Sequence, residues 1–230
     1  MDGPDPTFTE AYKNYGDVGN IKSWLYDWKG ANEWLFLKIN YLHASWYDSL
    51  MQLITFIGDR HNFPYYLGIA LVGMVLCVAV RKIQGHAGTR QYITQWVGVM
   101  LVLLAGFLVV EESVHLLKEY FAYPRPYIAL GENNVTLVEH RPAGDDNHSF
   151  PSGHVAFITM MMVGLWPVLS KNFRTFGGWL IFAVAWSRMA LGVHFPADVL
   201  SGYLVALCLV LMVRSFIYFV LRRLFRLNCG

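Results

Sequence analysis

Residues 93 to 110 read Ile93-Thr-Gln-Trp-Val-Gly-Val-Met-Leu-Val-Leu-Leu-Ala-Gly-Phe-Leu-Val-Val110, eighteen consecutive positions without a charge. Crossing a hydrocarbon core takes about 20 helical residues, so this stretch predicts a membrane helix. Comparable apolar stretches lie on either side of it, near Phe63 to Val80, Val155 to Leu169, Gly177 to Val193 and Val199 to Val220. The expected fold is all-α, an integral membrane helical bundle with five transmembrane helices, the third being the shortest. A sixth span around Phe36 to Ile57 is the less favoured alternative, because it would bury Lys38, His43 and Asp48 in lipid.

Composition agrees with that reading, since 55% of the residues are hydrophobic and only 15% charged. A formal net charge of +2 is too small to suggest nucleic acid, and no basic run alternates with aromatic residues. Cys77 and Cys208 lie inside apolar stretches and Cys229 is next to last, so no disulfide framework or zinc-ligand spacing arises and plain packing is expected. Asp2, Asp5, Glu10 and Asp17 leave the first twenty residues without the apolar core of a cleavable signal peptide.

The connections differ by face. Arg81 to Arg90 and Ser170 to Thr175 are short and basic, whereas Tyr123 to Phe150 is long and carries Glu132, Glu139, Asp145 and Asp146. Five spans place Arg81, Lys82, Arg90, Lys171, Arg174, Arg222, Arg223 and Arg226 on one side, which the positive-inside rule makes cytoplasmic. Residues 1–60 mix Trp24, Trp28, Trp34 and Trp46 with Lys22, Lys29, Lys38 and Asp48. That mixture suits an N-terminal extension of interfacial amphipathic helices, with residues 61–230 forming a single membrane-embedded domain.

Ionisable groups gather at the outer ends of these spans. Lys118 closes the second, with Arg125-Pro126 just beyond it; Pro151-Ser152-Gly153-His154 opens the third; Ser187-Arg188 closes the fourth; and His194 and Asp198 precede the fifth. An up-and-down path brings all of them to one face. Two guanidinium groups and an ammonium match an oxyanion with several oxygens, and Ser152 and Gly153 precede a helix whose N–H groups point at the same place. No nucleotide-binding glycine loop occurs. Asp198 can orient His194 and stabilise its developing charge, while His154 can protonate a leaving oxygen and then activate water.

Taken together, Lys118-x6-Arg125-Pro126, Pro151-Ser152-Gly153-His154 and Ser187-Arg188-x5-His194-x3-Asp198 resemble the three-part signature of the type 2 phosphatidic acid phosphatase superfamily. Eleven positions agree in order, each with a chance of about one in 15 to 20. The resemblance implies a helical membrane core and metal-independent hydrolysis with no cofactor. It also implies His194 as nucleophile, Asp198 as its partner, His154 as acid and base, and Lys118, Arg125, Ser152, Gly153 and Arg188 as phosphate ligands. Family members act on phosphatidic acid, phosphatidylglycerol phosphate, isoprenyl diphosphates, lipid A phosphates or sphingoid phosphates. The compact size and external site favour an isoprenyl (undecaprenyl) diphosphate or phosphatidylglycerol phosphate, in a bacterial inner membrane with the site facing the periplasm or exterior. Phosphotransfer to a second lipid and non-catalytic lipid binding or transport are the alternatives.

Other candidates carry blander readings. Glu111, His115 and Lys118 share a helix side, where Glu111 or His115 either shapes the lysine or is simply solvated. His140, Arg141, Asp145, Asp146 and His148 form a polar loop without diagnostic metal spacing. Gly164, Gly177, Gly178, Gly192 and Gly202 are expected to be close-packing points between helices.

Overall fold

An apolar helix surrounded on every side by other helices has no need to reach across the bilayer by itself, and the centre of this protein is built that way. The computed structural model describes Tyr26, residues 28–138 and residues 147–227, with side chains up to Arg223. Among these residues seven main helices follow in order: α1 (Ala31–Asn40), α2 (Ser45–Ile57), α3 (Phe63–Ile83), α4 (Thr89–Phe121), α5 (Gly153–Leu165), α6 (Lys171–Ala190) and α7 (Pro196–Leu227). One-turn helices occur at Arg60–Asn62 and Pro126–Ala129, and no strand occurs among the described residues. The fold is an all-α membrane bundle.

Helix α5 is the axis. It packs against α4, α6 and α7, and Val155 to Met161 are buried without interruption. Val155 and Ile158 join a core with Phe36, Tyr127, Val184 and Phe195, while Phe157, Met160 and Met161 join a second with Phe63, Val99, Leu103 and Val210. A helix apolar all round is buried all round.

Among the described residues, three segments are long and apolar enough to cross a membrane: Arg60–Ile83, Thr89–Ala129 and Pro196–Arg223. The two other expected spans differ from that standard for separate reasons. Helix α5 has 13 residues, about 20 Å at the helical rise, and is sheltered by its neighbours. Helix α6 has 20 residues but carries Lys171 and Arg174 in its opening turns and Arg188 in its last. No continuous helix covers Phe36 to Ile57; the chain breaks at residues 41–44, and neither α1 nor α2 is long enough to cross.

The N-terminal helices lie across the end of the bundle. Tyr47 and Thr55, eight residues apart on α2, meet Trp186 and Arg188 on α6, so α2 crosses α6 rather than running along it. Its outward side exposes Trp46, Leu53 and Phe56, which suits an interfacial position.

Close approach explains four of the five glycines singled out by sequence. A Cβ would fall 2.7 Å from Leu103 at Gly164, 3.0 Å from Met162 at Gly177, and 2.5 Å from Thr136 O at Gly192 and from Ser152 O at Gly202. Gly178 meets nothing within 4 Å and is not a packing point. Cys77 and Cys208 are exposed on outward apolar faces rather than packed inside. Glu139, His140, Arg141, Asp145, Asp146 and Cys229 lie outside the described residues.

Candidate active site

Helix ends place the ionisable groups, and local sequence places the ends. Helix α4 stops at Ala122, whose φ of 48° is left-handed and whose N–H returns to Lys118 O. The prolines that follow forbid continuation and send the chain inward, so Arg125 immediately precedes the one-turn helix Pro126–Ala129. Helix α6 ends at Gly192, with φ of 82°, a conformation in which a side chain would be strained. The chain then turns through His194 and restarts at Pro196, a residue suited to a first helical turn.

Two of these segments are stitched together. Ser152 N–H donates to Asp198 O at 3.0 Å, directly where Gly202 lets α7 approach Ser152. The start of α5 and the start of α7 are thereby held in register.

Arg125 and Arg188 are each 3% exposed, although a guanidinium is costly to bury. Arg125 Nη1 donates to Val193 O at 3.2 Å and Arg188 Nη1 to Thr55 Oγ1 at 2.7 Å. Lys118 Nζ donates to His148 O at 3.0 Å. These three partners are neutral oxygens that help to aim the cations. Together with Gly153, His154 and His194 they line a cavity of about 430 Å³. Ser152 and Asp198 lie behind its surface, and the buried Ser152 hydroxyl has no hydrogen-bond partner among the described residues.

His194 is 2% exposed, and its Nδ1 lies 3.4 Å from Asp198 Oδ2. That contact turns Nε2 toward the cavity. Burial, followed by the charges of Arg125, Arg188 and Lys118, holds the His194 imidazole well below its ordinary value of 6.5. It is therefore neutral near pH 7, with a lone pair available. Asp198 is fully buried; its Oδ2 accepts from Ser149 Oγ at 2.6 Å and Phe195 N–H at 2.8 Å, and its Oδ1 accepts from the Tyr26 hydroxyl.

The mouth has mixed charge. Arg60 Nη1 meets Glu111 Oε2 at 2.9 Å, His61 Nδ1 meets Asp59 Oδ1 at 2.7 Å, and His115 lies 3.9 Å from Glu119. Glu111 thus holds Arg60, a contact no helical spacing announces, while Glu112 is exposed outside the cavity. No group of three metal-capable side chains forms among the described residues. Tyr26, Thr55, Arg60 and Ser149 escaped the sequence reading because each acts through a distant partner and belongs to no local motif.

Residues 95–222, more than half the chain, match the family model described as the PAP2 superfamily. The chain belongs to the PAP2 superfamily. Its relatives include phosphatidylglycerophosphatase B of Bacillus subtilis, 32% identical over 140 residues, a match covering 56% of this chain and 63% of that protein, just under two thirds of its length. Another is the undecaprenyl-diphosphatase of Sulfolobus acidocaldarius, 27% identical over 175 residues, covering 76% of this chain and 73% of that protein. Among solved structures, the transmembrane PAP2-type phosphatidylglycerolphosphate phosphatase from Bacillus subtilis superposes with a TM-score of 0.59 at 21% identity, covering 92% of this chain and 96% of that one. Aquifex aeolicus LpxE gives 0.56 at 21% identity, covering 80% and 94%. These superpositions show that this PAP2 chain shares their fold.

Proposed function

We propose that this protein is a lipid phosphate or diphosphate phosphatase that works through a phosphohistidine on His194, with no metal or other cofactor. The observation that carries this reading is the cavity itself. Two buried guanidinium groups and an ammonium converge on one space with His154 and His194, both held well below the ordinary imidazole range by burial and by these cations, and His194 is backed by a buried carboxylate.

A phosphoryl group in this cavity would be held by Lys118, Arg125 and Arg188, with the Ser152 hydroxyl and the N–H groups opening α5 completing the cradle. His194 Nε2 attacks phosphorus as the bond to the leaving oxygen breaks, and His154, protonated once the negative charge of the bound phosphate offsets the surrounding cations, donates that proton to the leaving oxygen. Asp198 stabilises the positive imidazole that results. Water then attacks phosphorus and gives its proton to His154; the N–P bond breaks, releasing phosphate and restoring neutral His194. The fixed cations take up the charge that builds on phosphorus oxygens, the part of the work a metal does elsewhere.

Two features support a lipid substrate. The cavity opens where α4 passes beyond its apolar run, with Lys118 eight residues, about 12 Å, past Val110. The named relatives also act on lipid phosphates or a polyprenyl diphosphate. The basic residues Arg81, Lys82, Arg90, Lys171 and Arg174 lie at the opposite helix ends, which supports a site facing the exterior or periplasm of a bacterial inner membrane. Within the class, phosphatidylglycerol phosphate and undecaprenyl diphosphate are the substrates to try first.

The test is phosphate release by detergent-purified protein from phosphatidic acid, phosphatidylglycerol phosphate and undecaprenyl diphosphate, with EDTA present. Release that requires His194 is expected. Activity persisting in His194→Ala would remove the nucleophile, loss in EDTA would remove the metal-free mechanism, and label moving to a second lipid would replace hydrolysis by transfer.

A further inference from the structure

Three buried polar side chains of the N-terminal segment reach one short turn of the chain. Tyr26, 2% exposed, donates its hydroxyl to Asp198 Oδ1. Asn32, fully buried, accepts from Ala197 N–H at 2.9 Å. Asn40, 2% exposed, donates through Nδ2 to Ala190 O at 3.0 Å and to Thr136 O at 2.9 Å, while its Oδ1 accepts from Thr136 N–H at 2.9 Å. The turn so braced, residues 190–198, carries both His194 and Asp198.

We propose that Tyr26 is a positioning residue for the phosphatase reaction, acting with Ser149 to fix the Asp198 carboxylate against His194. This rests on the reading of His194 as nucleophile. Ser149 Oγ and Phe195 N–H hold Oδ2, the oxygen that faces His194 Nδ1, and Tyr26 holds Oδ1 from the other side. A carboxylate anchored at both oxygens cannot rotate about its terminal bond. The 3.4 Å approach to Nδ1 is longer than an ordinary N–H···O bond; it shortens when phosphorylation makes the imidazole positive, provided Oδ2 is still aligned.

The surroundings of Tyr26 suit that task. Its ring is wedged against Tyr123 at 4.3 Å, Phe195 at 5.7 Å and Phe150 at 6.1 Å between centroids, which holds the ring in place. Tyr26 does not line the cavity. Removing its hydroxyl should therefore change the rate of phosphoryl transfer without changing how substrate is held.

The experiment compares Tyr26→Phe and Ser149→Ala with the unaltered protein in the lipid phosphate assay, measuring kcat, KM and inhibition by orthovanadate, a phosphate analogue that becomes five-coordinate, like a transferring phosphoryl group, when a nucleophile bonds to vanadium. Tyr26→Phe keeps the ring packing and deletes one bond. Both variants are expected to lose about tenfold to hundredfold in kcat, as loss of an orienting partner does, with KM within about twofold and vanadate inhibition weakened in parallel. Wild-type kcat in both, or losses confined to KM, would overturn the proposal. Absence of phosphate release by the unaltered protein from every lipid phosphate tried would overturn the reading beneath it, a distinct result.

Discussion

Two concavities flank the buried helix α5, and the larger one is chemically the emptier. A groove of about 720 Å³ between α6 and α7 is lined by residues such as Val163, Trp166, Ile181, Phe182, Val199, Leu200 and Tyr203, with Arg214 the only charged side chain there among the described residues. The cavity of about 430 Å³ carries Arg60, Lys118, Arg125, Arg188 and five histidines. In water the groove would attract attention first. In a bilayer an apolar groove is solvated by lipid tails at no cost, whereas every buried cation must be justified. For a membrane protein, volume therefore says less about chemistry than the number of charges held out of water.

If that contrast is right, substitutions on the two sides must separate widely. The largest effect belongs to His194→Ala, expected to lower phosphate release roughly 10⁴-fold or more, by analogy with the loss of other enzymatic nucleophiles, with the helical circular dichroism unchanged. Arg188→Lys keeps the charge but loses the planar fork, and about a hundredfold fall in kcat/KM is expected. Retention of full activity there would mean that net charge alone holds the phosphate.

A third effect reads stability. Because the folded state depresses the proton affinity of His194, the unfolded chain binds more protons below about pH 6.5. The fold bears no titration cost from this group above that pH, and destabilisation sets in as pH falls, by up to about 1.4 kcal/mol per pH unit until His194 itself protonates. Tm measured in detergent from about pH 7 to 5 should fall less steeply for His194→Asn than for the unaltered chain. The smallest effect is on the groove: Gly178→Leu, at a position with room for a side chain, should leave kcat/KM within about threefold. A hundredfold loss would make the groove part of the site after all.

Most of the cavity was legible before any coordinates, because Lys118, Arg125, His154, Arg188, His194 and Asp198 sit in short motifs at helix ends, and an up-and-down path through the membrane carries such ends to a common face. The all-helical fold was legible for the same reason: Ile93 to Val110 permits little else in lipid. Span count was less so, since the 13-residue length of α5 is tolerable only because α4, α6 and α7 surround it, a fact of packing rather than of composition. Tyr26, Asn32 and Asn40 were invisible because their partners lie 172, 165, and 96 or 150 positions away. Nothing at 26 distinguishes a tyrosine that steadies a carboxylate from one that lies in an interface.

The bond between Tyr26 and Asp198 joins one of the first described residues to the last helix. A chain threaded into the bilayer from its N-terminus must hold Tyr26 and Asn32 in waiting until α7 arrives, because the Asp198 carboxylate and the Ala197 N–H that they engage enter last. Until then His194 has no carboxylate behind it. Competence is therefore reached in one late event rather than by degrees, and an incompletely inserted chain should be catalytically silent rather than partly active.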